Sequence, residues 1–146
     1  LPQRPAVLIG SGIYTRQIAQ DQGLLNQLRL DPARQIIGAQ CSGTLLLARL
    51  GLIGTLPACT DLTTKPWGAE AGVQVLDAPF VAHGSVASAG GCLASIYLAA
   101  WMIARGDSWA AAADALHYVA PVGEKAEWIA RAEAVVMPFV PISATT

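Results

Sequence analysis

The sequence predicts an α/β protein, a mostly parallel sheet with helices on both faces. Three observations predict it. Short apolar runs of strand length, AVLI, IIGAQ and VAS, stop at glycine or at a polar residue. Longer stretches between them carry apolar residues at helical spacing. The two kinds alternate along the chain, the pattern of strand–helix units wound into a sheet covered on both sides. Residues 1–146 read as one domain, with no internal repeat.

The elements follow in order. Ala6–Ile9 is a buried parallel strand closed by the turn Gly10-Ser11-Gly12. Thr15–Leu30 places Ile18, Leu24, Leu25 and Leu28 on a helical face and is broken by Asp31-Pro32. Gln35–Gln40 is the second strand, Cys41 follows it directly, and Ser42–Leu50 is helical as far as Gly51. Leu56–Thr64 reads as extended, Lys65–Gly68 as a loop and Val73–Leu76 as a strand. His83-Gly84 marks a hairpin turn before a strand at Val86–Ser88. Cys92–Arg105 is a buried helix stopped by Gly106, and Asp107-Ser108 caps the next helix, Trp109–Val119. Glu124–Val136 forms a last amphipathic helix, and these two C-terminal helices are expected to pack on the sheet or on a dimer partner. The chain opens LPQRPAVLIGSG, without an initiator Met and with a strand almost at once, and ends in the short tail MPFVPISATT. The expectation from this opening is a partial fold, a chain whose beginning is absent.

Composition narrows the function. Hydrophobic residues make up 53% and charged residues 13%, against a usual charged share of about a quarter. A surface so poor in charge points to a partner subunit, or further chain, over part of it. The net charge is -1 with no run of Lys or Arg, which argues against a nucleic-acid partner. The longest uncharged apolar run, CLASIYLAAWMIA, has 13 residues, too few for a helix across a bilayer. The three cysteines form no CxxC pair, which fits a reducing, cytoplasmic setting. No cysteine, histidine or carboxylate cluster has metal-ligand spacing. Gly10-Ser11-Gly12 is too short for a dinucleotide or phosphate loop, so no cofactor is expected.

One stretch carries chemistry: IIGAQCSGTLLLARLG, Ile36–Gly51. A strand ending at Cys41 with a helix beginning one residue later forces a sharp elbow at the cysteine, the logic of a nucleophile elbow. The side chain is pushed out at the carboxyl edge of the sheet, where doubly wound folds bind ligands. The helix N-terminus favours a thiolate and lowers its pKa. Gly43 clears the crowded inside of the elbow, and the Ser42 backbone N–H can meet a developing oxyanion. Cys41 also fits a small buried apolar residue, and its position alone leaves the two readings open. Cys59, in an extended apolar stretch, reads as packing, while Cys92 shares a helix start. His83 reads as a solvated turn residue, and His117 as a cation at a helix C-terminus. Trp67 and Trp101 read as core, and Glu70 as an acid in a variable stretch.

IIGAQCSGTLLLARLGLIGTLPACT resembles the signature of the DJ-one/PfpI family, within the class I glutamine amidotransferase-like superfamily. There a strand feeds a Cys-x-Gly elbow, a Leu/Ala helix and an extended ATTH-like stretch. VLIGSG is similar to that family's apolar strand ending in a Gly-Gly turn, and GSVASAGGCLASIYLAAWMIARG to its strand, turn and long helix. The resemblance implies a flavodoxin-like three-layer sandwich and a homodimer. It implies Cys41 as nucleophile, with Gly12 and Ser42 donating backbone N–H groups to an oxyanion hole. A hydroxyl residue after the cysteine, here Ser42, matches the isonitrile hydratase branch. It would hydrogen-bond substrate there, or else cap the helix. The family's histidine is replaced by Asp61, a charge that would raise a nearby thiol pKa, accept a proton, or simply cap a loop. No residue matches the family's acidic partner for the cysteine, a Glu or Asp near the N-terminus; the resemblance implies that it is lost or lies on an N-terminal strand–helix portion absent from this chain. The implied function is a cofactor-independent cysteine enzyme acting on a small carbon–nitrogen or carbonyl substrate. The alternatives are a redox or ligand sensor and a pseudoenzyme of the same fold.

Overall fold

The structure, a computed structural model, describes residues 4–142. The opening Leu1–Gln3 and the tail end Ser143–Thr146, both part of the readings above, lie outside the described residues. Four strands form one sheet in the order β1-β2-β4-β3: β1 (Ala6–Ile9), β2 (Ile36–Gln40), β3 (Phe80–His83) and β4 (Val86–Ala89). β1, β2 and β4 run parallel, and β3 pairs antiparallel with β4 across the two-residue turn Gly84-Ser85. The sheet is open, mostly parallel and flanked by helices, as a flavodoxin-like sandwich requires.

Alternation along β2 sorts the layers. Ile36 faces the core shared with α5 (Ser95–Gly106), α6 (Trp109–Val119) and α7 (Lys125–Val136), while Ile37 and Ala39 face the side of α3 (Gly43–Arg49). Gly38 lets α5 close in, since a Cβ there would stand 2.8 Å from Leu98 Cδ1. Trp101 is wholly buried beside Phe80, with ring centroids 6.1 Å apart, and its indole N–H donates to Phe139 O. A core aromatic of this kind contributes on the order of 3–5 kcal/mol. Ala112, Leu116, Ala132 and Val136 join the same core, so both C-terminal helices pack on α5.

Several elements differ from the sequence reading. The helix expected over Thr15–Leu30 is two short ones, α1 (Thr15–Gln20) and α2 (Gln22–Leu25). Asp21 divides them, because its side chain accepts from Leu24 N–H and starts a new helix. Lys65–Gly68 is no loop: α4 (Lys65–Glu70) carries Pro66 in its first turn, where a missing N–H costs nothing. The extended runs around Ala58 and Val75 share one isolated bridge and join no strand of the sheet. They pack instead on the α3 face, with Ile37 and Val86. Cys92–Ala94 is a short 3-10 turn ahead of α5. His83 ends β3 half-buried, its Nε2 2.8 Å from Pro57 O, so it ties a loop to the sheet and is not a solvated turn residue.

Candidate functional site

The elbow forms where β2 ends. Cys41 N–H donates to Ala89 O at 2.7 Å, continuing the β2–β4 ladder by one residue. Its carbonyl accepts from Thr60 Oγ1 at 2.8 Å and from Thr44 N–H at 3.1 Å, which starts α3. Between these anchors the backbone takes φ 50°, the one positive value at a non-glycine among the described residues. Such a left-handed conformation costs an L-residue about 1–2 kcal/mol. Gly43 makes the turn possible: a Cβ there would lie 2.7 Å from both Ile9 O and Gly10 O. Gly90 does the same on the far side, where a Cβ would meet Thr60 O at 2.3 Å.

Cys41 is 4% exposed. Its sulfur accepts from Gln40 Nε2 at 3.3 Å and faces the backbone N–H of Gly91. Burial pushes the thiol pKa up, and these two donors pull it down without cancelling the rise. The charges of Asp61 and Cys92 add smaller upward pushes. The helix terminus was expected to lower this pKa; the direction found is upward, with burial the largest cause. Cys59 is wholly buried and burial alone carries its thiol to about 11.

Ser42 Oγ is a hub. It lies 3.0 Å from Ser11 Oγ and 2.9 Å from Thr15 Oγ1, and accepts from Gly12 N–H at 3.3 Å. Thr15 spends its own hydroxyl proton on Gly12 O at 2.8 Å. Ser42 must therefore donate to Thr15, which leaves Ser11 to donate to Ser42. The serine hydroxyl then has one donated and two accepted bonds and is saturated. It neither caps α3 nor has a lone pair to offer a substrate, but straps the loop after β1 to the elbow. Gly12 N–H, expected in an oxyanion hole, is aimed at Ser42 Oγ. The N–H groups of Ser42 and Gly43 precede the first closed turn of α3, where intrahelical acceptors are lacking.

Asp61 caps: Oδ2 accepts from Thr64 N–H at 3.1 Å, and Oδ1 lies 3.3 Å from Thr60 Oγ1, whose single proton is shared with the nearer Cys41 O. Glu70 lies 3.9 Å from Arg16, whose guanidinium stacks 4.8 Å over Trp67, away from the elbow. His117 is exposed in the last turn of α6, and its carbonyl accepts from Lys125 Nζ. Two hollows reach residues next to the elbow, Gln40 in one and Thr60 and Gly91 in the other, and Cys41 itself lines neither. An apolar groove of about 430 Å³ runs past Leu8, Gln40, Leu98 and Leu116. A more polar cleft of about 540 Å³ is bounded by Thr60, Asp61, Lys65, Gly90 and Gly91. Gln40 is the residue that sequence reasoning missed. It closes an otherwise apolar strand, its amide N–H groups serve Cys41 Sγ and Gly91 O, and its buried Oε1 has no partner among the described residues.

The fold is that of the ThiJ/PfpI and DJ-1 proteins. A ThiJ/PfpI family protein from Pseudomonas syringae superposes with TM-score 0.67 at 22% identity, over 92% of this chain and 66% of its own. A two-domain protein from Anabaena variabilis, with DJ-1/ThiJ/PfpI-like and ferritin-like domains, gives TM-score 0.64 at 14% identity, over 87% of this chain and 36% of its own. Drosophila melanogaster DJ-1beta gives TM-score 0.52 at 14% identity, over 94% and 64%. The chain thus spans about two thirds or less of these proteins' lengths. No family model and no curated protein sequence matches it. Among the described residues there is no cluster of metal-ligating side chains, and no helix is long and apolar enough to cross a membrane.

Proposed function

We propose that this chain is a member of the ThiJ/PfpI family acting as a cysteine enzyme on a small carbon–nitrogen or carbonyl substrate, with Cys41 as nucleophile. The observation that carries this reading is the left-handed backbone of Cys41. Burial alone does not call for it, since Cys59 is buried more completely without a positive φ. Strain of about 1–3 kcal/mol persists where the surroundings enforce it, and it gathers at functional sites.

Isonitrile hydration is the version to test. In this scheme Asp61, the carboxylate whose charge acts on Cys41, takes the thiol proton and gives up its bond with Thr60. The sulfur adds to the terminal carbon of R–N≡C, and the proton returns to that carbon, giving R–N=CH–S–Cys41. The Ser42 and Gly43 amides steady the charge that develops during the addition. Water then adds to the same carbon, the C–S bond breaks, and R–NH–CHO leaves with the thiol restored. The hollow beside Thr60 and Asp61 suits a small substrate. Exposed Leu8, Ile13 and Val122 suit the surface of a homodimer.

The raised thiol pKa and the aspartate at position 61 favour a second reading, a redox or ligand sensor or a pseudoenzyme. Turnover decides between them. Wild type should convert an aliphatic isonitrile to its formamide, or consume a small aldehyde, and Cys41→Ala should not. Equal conversion by both proteins, or by neither, rejects the enzyme.

A further inference from the structure

We propose that Cys92 and Cys41 form a reversible disulfide that locks the elbow, with Cys92 as the point where a hydroperoxide enters. The inference rests on how the two residues are placed and does not depend on turnover.

The sheet brings the two cysteines to one edge. Gln40 and Ala89 are register partners on neighbouring parallel strands, which run about 4.8 Å apart. Cys41 is one residue beyond Gln40, and Cys92 three beyond Ala89. The Gly91 N–H faces the Cys41 sulfur, and Cys92 follows in sequence, near enough for its charge to act on that sulfur. Cys59 is wholly buried, with its own N–H tied to Ser88 Oγ at 2.9 Å, and takes no part.

Access separates their roles. Cys92 is exposed, as are Gly91 and Leu93 on either side, whereas Cys41 is covered. A peroxide in solution therefore meets Cys92 first. Movement of the segment between them has to release the bond from Gln40 Nε2 to Gly91 O at 2.8 Å. Gly91 sits at φ 90° in open space and leads into a 3-10 turn of three residues. Gly90 is held tightly against Thr60, which confines the movement to the Gly91 side. A disulfide needs its Cα atoms within about 7 Å, and rotation about Gly91 is what brings Cys92 over Cys41.

The chemistry balances with the hydroperoxide as the oxidant. Cys92–SH and ROOH give Cys92–SOH and ROH as the O–O bond breaks, a two-electron oxidation of sulfur. The Cys41 sulfur then attacks the Cys92 sulfur and the S–O bond breaks. Hydroxide leaves and takes the Cys41 proton as water. A small thiol in excess reverses the bond by exchange.

The test uses the full chain and hydrogen peroxide. Thiols are counted in denaturant, and the protein is mapped without reductant by trypsin followed by cleavage before aspartate, which separates Cys59 from Cys92 at Asp61 and Asp77. The three thiols should fall to one and recover with dithiothreitol, with the Cys41 and Cys92 peptides joined within one chain. Cys41→Ser should leave a Cys92 sulfenic acid that dimedone traps. Cys92→Ser should keep its Cys41 thiol at the peroxide dose that cross-links wild type, and Cys59→Ala should cross-link normally. Equal oxidation of Cys41 in wild type and Cys92→Ser, or cross-links only between chains, overturns the proposal. Neither result touches the nucleophile reading, because no turnover is measured.

Discussion

Exchanging Cys41 for glycine and for alanine isolates the strain at the elbow. Both variants lose the same sulfur and the same contacts to Gln40 and Gly91. Alanine keeps a Cβ on a backbone held at φ 50°, and glycine removes it. The left-handed conformation costs an L-residue about 1–2 kcal/mol. Against this, glycine loses about 0.4–1 kcal/mol through the greater freedom of its unfolded chain. At the middle of the two ranges Cys41→Gly should therefore be the more stable variant by roughly 0.8 kcal/mol. In a domain of this size that is about 1–4 °C in Tm. The order should invert at Cys59, whose φ is not positive, so that alanine is the better replacement there. Thermal unfolding followed by circular dichroism, checked by urea midpoints on the four variants, reads the sign directly. If Cys41→Ala matches or outlasts Cys41→Gly, the anchors from Ala89 and Thr60 do not hold the elbow in a strained state. The main support for a reactive site then falls.

Two further outcomes follow from the same geometry. Ser42→Ala strips the acceptor from Ser11 and from Gly12 N–H and the donor from Thr15, in a buried place. It should cost about 1–3 kcal/mol in urea unfolding, and a loss below about 0.5 kcal/mol contradicts the strap. The second concerns alkaline pH. The folded state holds the Cys59 proton more tightly than the unfolded state, with a pKa of about 11 against 9.0. The stability this contributes is complete below 9.0 and is lost as pH rises towards about 11. The reduced protein should weaken by on the order of 2 kcal/mol across that window. Cys59→Ala should flatten the fall, and an unchanged slope in that variant refutes the assignment.

The elbow was legible because its causes are local. A cysteine between an apolar strand and a Leu-rich helix, with glycine two residues on, leaves the backbone few ways to turn. The helices with long apolar faces, α5 to α7, were legible for the same reason. Pro66 misled because a proline reads as a breaker until its position in the first turn is known. Asp21 misled because a side chain taking Leu24 N–H divides a pattern that spacing alone joins. Val75 and Ala58 have the residue types of strands, yet they find burial on a sheet face and need no place in the ladder. The role of Ser42 depends on a loop thirty residues upstream coming within 3.3 Å. The direction of the Cys41 pKa depends on how deeply the completed fold buries the sulfur. Neither is written in nearby residues.

The position of β1 has a consequence for motion. Among the described residues it is the sheet's outer parallel strand, four residues long, with Leu8 61% exposed. Parallel strands are ordinarily covered on both faces, so β1 is the member of the sheet with least to hold it. The loop that follows it carries Ser11 and Gly12, which grip the elbow through Ser42. Breathing at this margin is therefore transmitted to the cysteine, and amides of β1 and of Gly10–Gly12 should exchange hydrogen as one cooperative unit. Whatever steadies that margin also tunes the thiol, at a distance and without touching it.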